Sequence, residues 1–479
     1  MREMGLMKRI AKILMLIAIL AISMPFASSV THAAEEPQVF AETHILIEAE
    51  SGRILSGSDV HRRMFPAATT MILTAILAYE HIGMDEIVLA GSEVSMLPLD
   101  SARNFHEIHE AILGENLLRG MLIGAGNDTA NIIAMEVARR LTENPDITFG
   151  QAQVFFANLM TEKAIELGAL DSHFMNPHGY HHDSHFTTAY DMAQIARHAM
   201  SIDIIAQIAA EGRFSGPMAG PNPHENPLVP DGAEIVTRTW NSVNQLIRPG
   251  DNYYPYAVGI RTGFTRLAGE TLVAAAKQDD ITLISVTFNS PEIEGYPTRW
   301  QDNINLFEFG FNNFAYRIFL DTSYAVGQMY IYEPRLDDDG YLEFFASQQG
   351  RIFLSNAELG RMEREIVFLS QFVTYNEDEE MMFTAPIEEN QIIGNLTYTL
   401  DGEIIFTTSV YSSRYVYERD AAADIDFWLT RVNEIFFSSQ AVPFWIAGIS
   451  VSLLLMVLIL LARNAIKRNK KDNKYKWKY

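Results

Sequence analysis

TLVAAAKQDDITLISVTF, residues 271–288, is the stretch on which the fold turns. Thr271 to Ala276 and Ile281 to Phe288 are apolar and rich in β-branched residues, and Asp279-Asp280 between them marks a turn, so the stretch forms a hairpin. Just upstream, Tyr256-Ala257-Val258-Gly259-Ile260 supplies another strand. A second hairpin stands near the other end of the chain, where Ile45-Leu46-Ile47 and Arg53-Ile54-Leu55 flank Ser51-Gly52. Between the two lie helices. Pro66 opens a nearly all-apolar one in which Met71, Ile72, Ala75, Ile76 and Tyr79 are spaced for a buried face, and the pattern stays helical from roughly Met84 to Met200. Strands near both ends with helices between them predict one sheet assembled from distant segments and carrying a helical insertion. This α/β unit spans residues 35–316.

Beyond it, over residues 317–419, the pattern changes to short alternating strands. Ile393 to Leu400 and Glu403 to Phe406 flank Asp401-Gly402, a favoured two-residue hairpin turn. The expectation is a small β-rich, sandwich-like domain. Asp424 to Phe437 has the pattern of an amphipathic helix, within a connector of residues 420–441. From Val442 to Ala462 there is no charge, and about 20 apolar residues suffice to cross a bilayer. Trp445 stands at the entry to this transmembrane helix, and Arg463, Lys467, Arg468, Lys470 and Lys471 begin a basic tail, residues 463–479. By the positive-inside rule that tail is cytoplasmic and the bulk of the chain is extracytoplasmic. At the N-terminus, Arg2, Lys8, Arg9 and Lys12 precede an apolar run from Ile13 to Ile22 and small residues up to Ala33-Ala34. Residues 1–34 therefore have the layout of a secretory signal peptide; an uncleaved anchor is the alternative.

The bulk numbers agree with an exported, folded protein. At 479 residues the chain has room for two folded units plus accessory segments, and 48% hydrophobic residues fill their cores. A net charge of -24 excludes a nucleic-acid partner, because a phosphate backbone is repelled. With no cysteine there is no disulfide framework, thiolate nucleophile or Cys-bearing metal site.

The stretch NPHGYHHDSHFTTAYDMAQIARHAM, from Asn176, resembles the NPHG…H-[FY]-[ST]-T-A-Y-D-M-A block of the serine D-Ala-D-Ala carboxypeptidases, the low-molecular-weight penicillin-binding proteins of peptidase family S11. The resemblance extends in order through FPAATTMILTAILAYE from Phe65, LIGAGNDTAN from Leu122, TWNSVNQL from Thr239, IRTGFTRLAGETLVAAAK from Ile260 and APIEENQIIGNL from Ala385. It implies a penicillin-binding-protein/β-lactamase-like α/β fold, an antiparallel sheet with a helical subdomain, followed by a β-rich domain. It also implies chemistry resting on S-x-x-K, S-x-N and K-T-G motifs. Residues at i and i+3 share a helix face, so a Ser nucleophile and a Lys base meet there.

This chain departs from the pattern at the chemistry. S-x-x-K is Ala68-Thr69-Thr70-Met71, S-x-N is Ala125-Gly126-Asn127, and K-T-G is Arg261-Thr262-Gly263. By the resemblance, Ala68, Met71 and Ala125 fall at the nucleophile, base and proton-relay positions. Asn127, Arg261, Thr262, Gly263 and Phe264 fall on the substrate-holding side, with the backbone N–H groups of Ala68 and Phe264. A methyl has no oxygen to acylate, and a thioether accepts a proton far too weakly to serve as a base. Thr69 and Thr70 are adjacent, but each helical step turns a side chain by about 100°, away from the nucleophile's direction. The pattern favours a degenerate member, a pseudoenzyme that binds peptidoglycan stem peptides or envelope partners. Two alternatives stand beside it: an active carboxypeptidase using a displaced nucleophile, and a purely structural envelope protein.

No cofactor is implied. His178, His181, His182, His185 and Asp183 are dense enough to raise a metal site, but His178 and His185 fall where the family block carries His, so no metal is expected there. The Tyr253-Tyr254-Pro255-Tyr256 run fits either a cleft lining or ordinary packing. Asn376-Glu377-Asp378-Glu379-Glu380 lacks the spacing and Gly of a calcium loop and reads as a solvated turn.

Overall fold

A computed structural model describes residues 36–472 apart from 222, 225, 226 and 438–441. The segment assigned to a signal peptide, and the end of the basic tail, lie outside the described residues. The chain falls into two compact units: one runs up to Ala315 and includes Phe353–Ala357, the other comprises Tyr316–Ile352 and everything from Glu358 onward.

In the first unit, β1 (Thr43–Glu48), β2 (Ile54–Ser58), β3 (Ala257–Thr265), β4 (Gly269–Gln278) and β5 (Ile281–Ser290) form one antiparallel sheet in the order β2-β1-β5-β4-β3. The N-terminal hairpin thus pairs with the C-terminal one, Ile45 opposite Val286, which is the sheet of distant segments that the patterning predicts. The β4–β5 turn falls at Asp279-Asp280, with Gln278 opposite Ile281 and Asp279 at φ 52°. Leu272 through Ala276 are all 0% exposed. Because successive strand residues point to opposite faces, the sheet is covered on both. Helices α5 (Ala189–Ser201) and α7 (Arg299–Asn313) pack against it.

Helix α1 (Met71–His81) follows a 3-10 turn, Ala67–Thr70, that starts directly after Pro66. Met71 through Ala78 are buried on every side, so truncating Ile76 to Ala is expected to cost about 2–5 kcal/mol. Tyr79 corrects the sequence reading: it is 44% exposed, because the last turn of α1 runs past the core. Helices α2 (Gly114–Leu122), α3 (Asn127–Thr142), α4 (Phe149–Glu166) and α6 (Asp203–Ala209) complete the helical part. Helix α4 begins with a Thr148–Gln151 capping box.

The second unit contains an antiparallel sheet of β6 (Gly327–Tyr330), β7 (Tyr341–Ala346), β8 (Met362–Phe368), β11 (Ile392–Leu400) and β12 (Glu403–Ser412), in the order β6-β7-β12-β11-β8. A short ribbon of β9 (Val373–Tyr375) and β10 (Met381–Phe383) accompanies it. Their apolar faces share a core built around Leu342, Phe344, Phe383, Leu396 and Val410. After this unit's strands come α8 (Ala421–Phe437) and α9 (Val442–Asp472). Within α9, Val442–Asn464 is long and apolar enough to cross a membrane, with mean hydropathy 2.7.

Candidate functional site

Three segments distant in sequence converge on a cavity of about 650 Å³ in the first unit. The 3-10 turn before α1 contributes Ala68, the N-terminus of α3 contributes Ala125 and Asn127, and β3 contributes Arg261, Thr262, Gly263 and Phe264. Of the eight motif residues assigned through the resemblance, only Met71 is not in the lining. It is 0% exposed, one helical turn behind Ala68, and its sulfur meets Arg261 Nη2 at 3.5 Å.

Two close approaches hold the walls together. Strand β3 is the sheet edge, and a Cβ on Gly263 would stand 2.5 Å from the Ala68 nitrogen. Gly179, in the NPHG segment, is tighter still: with φ +79° a Cβ there would come within 1.7 Å of the Ala67 carbonyl oxygen. Both positions therefore require glycine. The backbone at the motif positions is itself unusual, since Ala67 has φ 50° and Ala125 has φ 62°, a region non-glycine residues enter rarely. Such conformations cost of order 1–3 kcal/mol each and persist only where surrounding contacts over-determine them.

Those contacts are buried polar ones. Asn104 donates from Nδ2 to the Gly120 carbonyl at 2.8 Å and to Thr129 Oγ1 at 2.9 Å, and its N–H donates to Asp128 Oδ1 at 2.9 Å. The N–H of Asn127 donates to the Ala102 carbonyl at 3.0 Å, which ties α3 to the loop carrying Asp100, Ser101 and Ala102 along the cleft. That loop is anchored by Glu110, whose side chain is 0% exposed and receives Arg238 Nη2 at 2.6 Å, with His106 Nδ1 at 3.0 Å. Burial alone would raise the Glu110 pKa, but the hydrogen bonds from His106 and Arg238 outweigh it and hold the carboxyl down to about 2.

The hydroxyls beside Ala68 are committed elsewhere. Thr69 Oγ1 donates to the Pro66 carbonyl at 2.7 Å, and Thr70 Oγ1 lies 2.9 Å from His185 Nε2; both threonines are 0% exposed and neither lines the cavity. His185 Nδ1 accepts from the Met175 N–H at 3.2 Å, so its proton sits on Nε2, and the ring donates to Thr70 instead of accepting from it. Burial pushes His185 down to about 3 and His178 down to about 4. The other imidazoles of this segment diverge. His178 Nδ1 accepts from the Tyr180 N–H, His181 faces Asp183, and His182 Nδ1 accepts from the Ser184 N–H. No group of three potential ligands stands together among the described residues.

On the strand wall, Thr262 Oγ1 donates to the Thr271 carbonyl at 2.9 Å, and Phe264 is 63% exposed at the cleft mouth. Arg261 is 2% exposed, its Nε and Nη1 have no acceptor, and burial lowers its pKa to about 10. Among the lining residues not assigned from the sequence, two carry chemistry of note. Arg299, paired with Glu270 and 3.4 Å from the Gly263 carbonyl through Nη1, enters from the start of α7. Ser101 carries a buried hydroxyl with no hydrogen-bond partner. Neither lies near a motif in sequence; only the pairing of β4 and β5 with β3 delivers Arg299 to the cleft.

This antiparallel sheet, its helical part and the three-segment cleft define a penicillin-binding-protein-like architecture. The sequence profile of peptidase family S11, D-alanyl-D-alanine carboxypeptidase, matches residues 30–292, and the chain belongs to that family. It is 29% identical over 279 residues to the D-alanyl-D-alanine carboxypeptidase DacB2 of Mycobacterium tuberculosis, covering 57% of this chain and 82% of the relative. It is 23% identical over 374 residues to DacF of Bacillus subtilis, covering 77% and 84%. Among solved structures, penicillin binding protein 5 of Haemophilus influenzae shares the fold with TM-score 0.55 at 22% identity, covering 81% of this chain and 100% of that one.

Proposed function

We propose that this chain is a membrane-tethered D-alanyl-D-alanine carboxypeptidase homologue that holds peptidoglycan stem peptides in its cleft without hydrolysing them. The observation that carries the reading is the asymmetry of the lining. Ala68 and Ala125 offer methyl groups, while Asn127, Arg261 and the edge of β3 keep donors along the same cavity. The side-chain amide of Asn127 has no hydrogen-bond partner among the described residues, so it is available to a peptide. A charge-assisted contact to Arg261 suits a carboxylate. Thr69 and Thr70 are spent on other partners, which removes the nearest substitutes for a nucleophile.

In this reading residues 1–34 direct export, residues 35–316 and 317–419 fold outside the membrane, α9 anchors the chain, and the basic tail stays in the cytoplasm. Cleft occupancy then reports on stem peptides at the cell surface or recruits envelope proteins to them. A second reading is favoured by one observation, the unpartnered buried hydroxyl of Ser101, a residue of the cleft lining: an active carboxypeptidase with a displaced nucleophile. Labelling the full-length protein with a fluorescent penicillin separates the two. The binding reading expects no covalent band. A stable band that disappears in Ser101→Ala establishes the second reading and overturns the first.

A further inference from the structure

Two cations stand deep along the cleft wall, and their surroundings differ. Arg299 is paired with Glu270. Among the described residues Arg261 has no ion-paired carboxylate: Nη2 meets the Met71 sulfur at 3.5 Å, and Nε and Nη1 are buried without an acceptor. A thioether is a weak acceptor, so the guanidinium's donors are essentially unused. A buried cation without a counter-charge is strongly disfavoured, and an anion arriving with the ligand relieves that penalty.

Position decides which anion. Met71 follows Ala68 at i+3, so the guanidinium stands at the floor of the cleft, where the family motif has its nucleophile and base, and not at the mouth. Ala68 has a methyl where the motif has a hydroxymethyl group, which leaves room there for one more oxygen. The N–H of Ala68 makes no hydrogen bond among the described residues. An oxygen anion at this place meets a cation and a backbone donor together. In a peptide ending in D-Ala-D-Ala, the group at this place is a neutral amide carbonyl, and the terminal carboxylate lies one residue farther along. In a peptide already one D-Ala shorter, the carboxylate itself lies here.

We propose that the cleft is built for the shortened stem peptide, its single terminal D-Ala carboxylate seated between the Arg261 guanidinium and the Ala68 N–H, in preference to the D-Ala-D-Ala form. The proposal rests on the reading of the cleft as a stem-peptide site and names its ligand class. Holding a carboxylate there needs no nucleophile, base or proton relay, and a hydroxyl at position 68 would crowd the carboxylate's oxygens. The reaction that supplies such a ligand is a D-Ala-releasing hydrolysis carried out by another protein.

The test is calorimetry of the full-length protein in detergent micelles with three synthetic probes: L-Ala-γ-D-Glu-L-Lys-D-Ala as the free acid, the same peptide as its C-terminal amide, and the peptide extended by a second D-Ala. The free-acid tetrapeptide is expected to bind at least ~10-fold tighter than the other two, and Arg261→Met to erase that preference. Arg261→Lys, which keeps the charge but loses the planar fork, is expected to retain part of it. Equal or tighter binding of the D-Ala-D-Ala peptide, or a preference that survives Arg261→Met, overturns the carboxylate assignment while the stem-peptide reading stands. No heat with any of the three probes overturns both.

Discussion

The two walls of the cleft differ in what holds them: strained backbone on the helical side, a buried unpaired charge on the strand side. On the helical wall the backbone has a demanding geometry, with Ala67 and Ala125 at positive φ and Gly179 pressed against the Ala67 carbonyl, while in the proposed reading the reactive side chains are gone. On the strand wall the side chains remain polar, but Arg261 is stranded without a counter-charge. Backbone strain is held in place by many contacts, so it outlasts the chemistry for which such strain is usually maintained. A single charged side chain has no such support. Its burial without a partner points to a ligand, whereas the strained alanines point only to a scaffold.

Restoring the lost side chains is the largest way to break this comparison. Because the helical wall keeps its geometry, Ala68→Ser/Met71→Lys/Ala125→Ser is expected to gain acylation by a fluorescent penicillin over the unmodified protein. Ala68→Ser alone lacks a base and is expected to fall short of the triple variant by about 10²–10⁴ in acylation rate. Equal labelling of the single and triple variants would show that the wall has lost more than side chains. Next comes Gly179→Ala, which puts a methyl on the Ala67 carbonyl and forces a strained φ. Destabilisation above about 3 kcal/mol is expected in chemical denaturation, against little change for the exposed Gly232→Ala control beyond its own φ strain.

The hairpin at residues 271–288 was legible because burial on both faces leaves two largely apolar runs separated by the polar stretch Lys277-Gln278-Asp279-Asp280. The partnership of β1 with β5 followed from needing a place for both hairpins. Tyr79 was misjudged because periodicity places a residue on a helix face without saying where the core ends. Positive φ at Ala67 and Ala125 left no mark, since alanine is not the residue that signals it. The motifs located the cleft through the resemblance they carry, but an Arg in place of a Lys says nothing about whether its fork finds a carboxylate. That depends on what the fold sets beside it: Met71 meets Arg261, while Glu270 pairs with Arg299.

Two smaller effects sharpen the contrast between supported and unsupported charge. Glu110 has a depressed folded-state pKa, so its stabilisation is present above its unfolded value near 4.5 and is lost as pH falls toward about 2. Over that window the denaturation midpoint of the unmodified protein is expected to fall by the equivalent of about 3 kcal/mol more than that of Glu110→Gln. Arg261→Met is expected to do the reverse of an ordinary core substitution. Removing an unpaired buried cation should raise the stability of the ligand-free protein by about 1–3 kcal/mol and its Tm by a few degrees. A lower Tm would mean that Arg261 has a counter-charge in solution.

The most direct measurement of the central claim follows both halves of it in one sample. The full-length protein is titrated in a calorimeter with the stem peptide ending in D-Ala-D-Ala, the form a carboxypeptidase would cleave, and the cell is then assayed for free D-Ala. A saturable heat of binding is expected, with no D-Ala released above the protein-free control. Catalytic release of D-Ala, or no heat at any peptide concentration, would contradict it.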